Sequence, residues 1–141
     1  MSEEQSFLFD FHRSPTFMDK WNIKFNVLSE MSSNSSANFE IVYCDYAPNN
    51  IGDCLNGELL NSNAHVLTTV PVALVWDGTA IKVRTDAIWN IGNTYYPLKA
   101  VFIRHKTNKY VMGFSINIDN FEVTNKVKLS AGTVIWSIQD A

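Results

Sequence analysis

The sequence predicts an all-β protein, a single β-sandwich or jelly-roll-like domain of about eight strands with an extended N-terminal arm. Short segments in which apolar and polar residues alternate recur along the chain, separated by turn residues. Valine, isoleucine and threonine, which favour strands, make up 32 of the 141 residues. Apolar residues do not recur at helical spacing over any segment of ten residues or more. A small barrel is the alternative architecture.

Residues 1–20 are predicted to form the arm, and residues 21–141 the β-sandwich domain. The arm contains four phenylalanines, three of which alternate with other residues as in a strand: Phe7, Phe9, Phe11 and Phe17. Burying one phenylalanine side chain stabilises a protein by roughly 1.5–3 kcal/mol. We therefore expect the arm to dock, either on its own domain or on a neighbouring subunit.

The first half of the domain contains two predicted strands and a long loop. Residues 21–28 alternate apolar and polar side chains, and residues 39–46 form the second strand. Residues 47–64 are irregular and rich in asparagine and glycine. Because loops of this length are uncommon unless they bind something or are held by a partner, this loop is a second expected contact element.

The chain from residue 65 onward is predicted to fold into hairpins. Residues 65–76 hold one or two strands, with Pro71 at an edge or a bend. Asp77-Gly78 is a strong hairpin signal, and residues 79–85 form the returning strand. Residues 86–94 are expected to be a connection with room for a short helical turn.

The C-terminal third is predicted to continue the same pattern. The expected strands are residues 98–105, 110–118, 121–129 and 133–138. The first two of these form a hairpin around residues 106–109, and Gly132 lies in a turn before the last strand. Gly113 falls inside a strand, which indicates a bulge or a close approach of another backbone.

Composition and charge argue against several classes of protein. A net charge of -3 does not favour a protein that wraps nucleic acid by charge alone. The sequence has no uncharged apolar run long enough for a membrane helix, and its acidic start lacks the basic flank of a secretory signal. Cys44 and Cys54 are expected to be reduced thiols, with a disulfide between them as the alternative.

Charge is distributed unevenly between the two halves of the chain. Residues 1–70 have three basic and nine acidic residues, whereas residues 71–141 have eight basic and five acidic ones. Two interpretations remain open. The halves are simply solvated, or the acidic half of one copy faces the basic half of the next.

The residues that catalysis requires are scattered. His12, His65 and His105 lie in three unrelated segments and match no hydrolase or metal-binding motif. The carboxylates are mostly in loops, where Asp77 and Asp119 suit turns. The six glycines are isolated, which argues against a phosphate-binding loop. We therefore expect no catalytic residue, metal or cofactor, and an enzyme with unfamiliar residues is the least favoured hypothesis.

Two groups of residues are candidates for surface contacts. Residues 102–106 place Arg104 beside an aromatic residue near a basic hairpin tip, which suits single-stranded nucleic acid or, more simply, a solvated turn. Trp89, Tyr95 and Tyr96 are expected in the 86–94 connection and just after it. Loop aromatics are enriched at interfaces, so these three are interface candidates and the candidates for a carbohydrate site. Trp21 and Trp136 are expected in the core.

Three segments suggest a family. They are V-P-V-A-L-V-W-D-G-T, A-I-W-N-I-G-N and the hairpin unit L-K-A-V-F-I-R-H-K-T-N-K-Y-V-M-G-F-S. In these segments the stretch from residue 71 to 138, about half of the chain, resembles small β-rich accessory structural proteins of tailed-phage virions. The 15 asparagines fit the AT-rich genomes of many phages.

The resemblance implies a non-enzymatic structural role in a virion, as a capsid-decorating, neck or tail component assembled in the host cytoplasm. Its implied partners are copies of itself and other virion structural proteins, with no direct contact to nucleic acid or membrane. The alternative function is a carbohydrate- or receptor-binding β-sandwich module.

Overall fold

The computed structural model of the protein describes residues 4–6, 11–13, 31, 38–46, 66–107 and 111–137. Helices are absent from these ranges, and the predicted all-β, sandwich-like fold is confirmed. The strands are β1 (Glu4–Ser6), β2 (His12–Arg13), β3 (Phe39–Cys44), β4 (Val66–Pro71), β5 (Leu74–Trp76), β6 (Ala80–Val83), β7 (Ala87–His105), β8 (Val111–Leu129) and β9 (Val134–Ser137). The predicted strand 21–28 and the loop 47–64 lie outside the described residues.

The larger sheet is built around a long hairpin. Its strand order is β1-β8-β7-β3-β4, and β2 also pairs with β8. β7 and β8, 19 residues each, pair antiparallel from Ala87 opposite Leu129 to Arg104 opposite Val111. β3 pairs with the last residues of β7, so the end of the hairpin lies in the middle of the sheet.

The smaller sheet has the order β5-β6-β9 and faces the larger one. Pro71 is the last residue of β4, and the chain passes from the larger to the smaller sheet directly after it. The backbone N–H of Val72 donates to the carbonyl of Phe39 (3.1 Å), and that of Arg84 donates to the carbonyl of Ala73 (2.8 Å). These bonds hold the crossing segment between the sheets, and the predicted bend at Pro71 is confirmed.

The hairpin between β5 and β6 turns at Asp77-Gly78, as predicted. Gly78 has a φ of 98°, which a side chain would disfavour. Asp77 Oδ1 accepts hydrogen bonds from the backbone N–H of Thr79 (2.8 Å) and of Ala80 (2.9 Å). Lys82 Nζ lies 3.0 Å from the other carboxylate oxygen. These donors hold the pKa of Asp77 well below its usual range, and the backbone N–H of Thr79 makes the largest contribution.

The main core fills the space between the two sheets. Its fully buried side chains include Phe39, Ile41, Tyr43, Leu74, Ile81, Ile103, Met112 and Ile135. A second cluster lies on the opposite face of the larger sheet, and it contains Val42, Cys44, Ala100 and Phe102. All six residues of β3 are buried, and every one except Glu40 is apolar or aromatic, as expected for a strand covered on both faces. Cys44 is a thiol buried in the second cluster.

Gly113 marks the closest approach between the sheets. A Cβ atom at this position would lie 2.3 Å from the carbonyl oxygen of Ile135 and 2.8 Å from its Cγ2. β8 and β9 therefore touch backbone to backbone at this point, and only glycine leaves the space. The prediction of a close approach at Gly113 is confirmed.

The expectation that residues 86–94 form a connection is wrong, because β7 runs through them without a break. The turn residues of this segment instead produce an irregularity in the pairing. Gly92 pairs with Asn125 and Tyr96 with Val123, so three residues of β7 face one of β8. Gly92 and Asn125 both have positive φ angles, 85° and 61°. Pairing with β8 outweighs the local preference for a turn, which survives only as a bulge.

A similar correction applies to β8, which replaces the separate predicted strands 110–118 and 121–129. The strand is continuous, but its pairing with β7 is interrupted. Ala100 pairs with Ile116, whereas Leu98, two residues earlier, pairs with Phe121. The turn-forming residues between the two predicted strands thus fall where the ladder is irregular.

Candidate functional site

The described part of the predicted N-terminal arm pairs with β8 of the same chain. β1 runs parallel to β8, with Glu4 opposite Lys126 and Ser6 opposite Lys128. β2 runs antiparallel to β8, with His12 opposite Phe114. Phe11, between them, is partly buried against the main core. The other three arm phenylalanines, Phe7, Phe9 and Phe17, lie outside the described residues.

The two arm contacts require β8 to bend. Ser6 pairs with Lys128 and His12 with Phe114. Six residues of chain span at most about 21 Å. Fourteen residues of a straight strand would separate the two partners on β8 by about 46 Å. Between these two partners, at residues 116–121, the pairing of β8 with β7 is interrupted.

The base of the hairpin, residues 87–98 and 125–129, has one buried and one exposed face. Ala87 and Trp89 point into the main core, whereas Ile88 (39% exposed) points outward and Asn90 is exposed. The base of the hairpin therefore presents part of a sheet face to the surroundings, unlike the end of the hairpin near β3.

Trp89 is not the exposed loop aromatic that the sequence suggested. Its side chain is 8% exposed and lies in the main core. Its ring stacks on Tyr43 with centroids 4.9 Å apart, and it contacts Tyr96 at 5.5 Å. The reason is strand alternation, since β7 extends through this position and turns every second side chain inward.

The other two aromatic candidates separate as well. Tyr95 is 66% exposed at the bulge of β7, and it follows exposed Asn93 and Thr94. Tyr96, one residue later, packs against the main core. Trp89, Tyr95 and Tyr96 therefore do not form a common aromatic platform, and Tyr95 is the accessible ring of the three.

Arg104 is buried, contrary to the expectation of a solvated hairpin tip. Its Nε lies 2.7 Å from Oε2 of Glu40, and the side chains are 5% and 11% exposed. The two residues are direct cross-strand partners on β7 and β3. Nη1 of Arg104 is buried without a hydrogen-bond partner in the described part of the chain. Arg104 is buried because β3 pairs with the last residues of β7 and places Glu40 opposite Arg104.

Glu40 was not predicted from the sequence as the partner of Arg104. Glu40 is the one acidic residue of a strand whose other positions are apolar or aromatic. A polar residue in such a strand signals that a buried partner is needed. Which residue becomes the partner of Glu40 depends on the register between β3 and β7. That register pairs Glu40 with Arg104, 64 residues later in the chain.

His105 and Asp86 each accept a hydrogen bond from a backbone N–H group. The ring of His105 meets Phe39 edge-on at 5.4 Å, and its Nδ1 accepts a hydrogen bond from the N–H of Thr107 (3.2 Å). Asp86 accepts the N–H of Ala131 (2.7 Å) and so holds the turn before β9. Within the described ranges, groups of three or more histidine, cysteine or acidic residues suited to a metal ion are absent.

Tyr43 lies beneath Trp89 in the main core. Burial raises the pKa of the Tyr43 phenol well above its usual value. Its hydroxyl is buried and has no hydrogen-bond partner among the residues described.

In the part of the chain that the structure describes, no helix has the length and apolar character needed to cross a membrane.

Comparison with known proteins gives no relative: no family model matches the sequence, no curated protein is similar to it, and no solved structure matches its fold.

Proposed function

We propose that this chain is a non-enzymatic structural protein that assembles with copies of itself and with other structural proteins, as a component of a phage virion. The virion context rests on the resemblance of residues 71–138 alone. The proposal of self-assembly rests on the way in which the arm docks.

Strand addition by the arm is the observation that supports self-assembly. β1 and β2 attach to one edge of β8 through backbone pairing, and Phe11 adds a partly buried contact. Backbone pairing needs an extended segment and an open edge, and any copy of the chain can supply either one. The arm and this edge therefore form a contact that can join copies.

Truncation of the arm tests the proposal. We expect the full chain to show a mass that increases with concentration in light scattering, and the chain lacking residues 1–13 to remain a monomer. The main core between the two sheets should keep the truncated domain folded, with a β-sheet circular dichroism spectrum and a cooperative melt. A Phe11→Ala variant is the matched control, since it weakens the core contact but retains β1 and β2. A full chain that stays monomeric at all concentrations would contradict the proposal.

A carbohydrate- or receptor-binding module is the second candidate function, and Tyr95 is the observation that favours it. This ring is 66% exposed beside two polar side chains, Asn93 and Thr94. An exposed ring next to hydrogen-bonding groups is suited to an amphipathic ligand. Trp89 and Tyr96 contribute to the core instead.

A glycan array with the full chain and with Tyr95→Ala tests this second function. Binding that Tyr95→Ala abolishes would support it, and absence of binding at millimolar glycan would contradict the carbohydrate-binding function. Trp89→Ala is a poor probe, because loss of this buried ring should cost about 3–5 kcal/mol of stability. Tyr95→Ala should change stability by less than about 0.5 kcal/mol.

A further inference from the structure

We propose that the arm is exchanged between copies in the assembled protein, so that β1 and β2 of one chain pair with β8 of a second copy. This inference rests on the proposed self-assembly and identifies its contact. The acceptor is the edge of β8 that faces away from β7.

The acceptor edge is occupied only at two short places. Among the described residues, β8 pairs on this side with Glu4–Ser6 and with His12–Arg13, at positions 126–128 and 113–114. Five residues in strand pairing form a small contact compared with the long ladder between β7 and β8. Segments with few contacts open far more readily than the core of a domain. The described part of the arm, β1 and β2, can therefore leave the edge while the sandwich stays folded.

Charge favours the pairing of any arm with any acceptor edge. The first ten residues contain three acids, Glu3, Glu4 and Asp10, and no lysine or arginine. The edge presents Lys126 and Lys128, both only partly buried. The register puts Glu4 opposite the first of these lysines. The arm of a second copy has the same acids, so it suits the edge equally well.

The length of the chain permits the exchange. Seventeen residues, 14–30, separate Arg13 from Met31, which packs against the main core. Seventeen residues span at most about 60 Å, which exceeds the roughly 40 Å diameter of a domain of this size. The number of residues therefore does not prevent the arm of one copy from reaching the β8 edge of a neighbour.

Disulfide trapping between two different variants tests the exchange. Ser6→Cys and Lys128→Cys are prepared as separate full-length chains, and one of them carries a tag that changes its size. Cys54→Ser removes the native thiol that lies outside the described residues. Cys44 is retained because it is fully buried. In-register partners on neighbouring strands lie about 5 Å apart, within the range that a disulfide spans. After mixing and mild oxidation, a product of the two different chains forms only through pairing between chains.

The matched control replaces Lys128→Cys with Lys82→Cys, a partly exposed position on β6 in the smaller sheet. We expect the mixed product to exceed that of the control mixture at least tenfold. Light scattering on the same samples separates the outcomes. If light scattering shows oligomers but the yield of the mixed disulfide product equals that of the control mixture, the exchange is overturned and the proposed function stands. Monomers throughout would overturn both.

Discussion

Gly113→Ala tests the contact between the two sheets with a single methyl group. The new Cβ would lie 2.3 Å from the carbonyl oxygen of Ile135, where an ordinary contact needs at least 3.4 Å. β8 and β9 would have to separate by about 1 Å to accept it. Because the closest atom belongs to the backbone, no change of side-chain rotamer can relieve the clash.

The expected loss of stability follows from this geometry. Forcing an extra methyl into a packed interior costs about 1–3 kcal/mol. Replacing a glycine in a strand by alanine alone would return about 0.5–1 kcal/mol. We expect a net loss of about 1–2 kcal/mol, which corresponds to a fall of several degrees in the melting temperature of a domain of this size.

Urea unfolding followed by tryptophan fluorescence measures the effect as a shift of the midpoint at constant slope. The Ile135→Ala background serves as a control for the origin of the clash. Gly113→Ala should cost about as much in this background as in the parent chain, because the carbonyl oxygen of residue 135 stays in place. An unchanged or raised midpoint for Gly113→Ala would refute the close packing of β8 on β9.

Three further predictions concern buried or capping polar groups. Arg104→Met should cost about 3–5 kcal/mol in urea unfolding because it removes the cation that faces the buried Glu40 carboxylate, whereas Arg104→Met with Glu40→Leu should cost less. Asp77→Asn should lower the melting temperature at pH 7. The difference from the parent should begin to shrink below about pH 4, where the unfolded carboxyl takes up a proton, and should be lost only as the pH falls through the much lower pKa of the folded state. A difference of the same size at pH 7 and pH 2 would contradict the capping role. Tyr43→Phe should raise stability by about 1 kcal/mol, because it removes a buried hydroxyl that lacks a partner in the described region; a lower melting temperature would show that the hydroxyl is bonded.

Features that depend on neighbouring residues were predictable from the sequence. The Asp77-Gly78 turn follows from a short acceptor next to a residue that tolerates a positive φ. Pro71 ends β4, since it cannot donate to a ladder. Gly113 signalled a close backbone approach, although the sequence could not say that Ile135 was the neighbour.

Features that depend on pairing between distant residues were not predictable. The segment 86–94 has turn residues, but pairing with β8 makes it strand and places Trp89 in the core. Arg104 has the sequence context of a solvated turn, but β3 pairs along it and supplies Glu40. In both cases the free energy of a long ladder exceeds a local preference of about 1 kcal/mol or less.

The sequence by itself determined the fold class, because alternation of apolar residues, strand-favouring composition and turn residues are all local properties. The tertiary structure alone decided which side chains reach the surface. It placed Tyr95 outside and Trp89 and Arg104 inside, and it put the arm on the edge of β8. The physical reason is that a one-residue change of strand register reverses the direction of every side chain, and register is set between strands far apart in the chain.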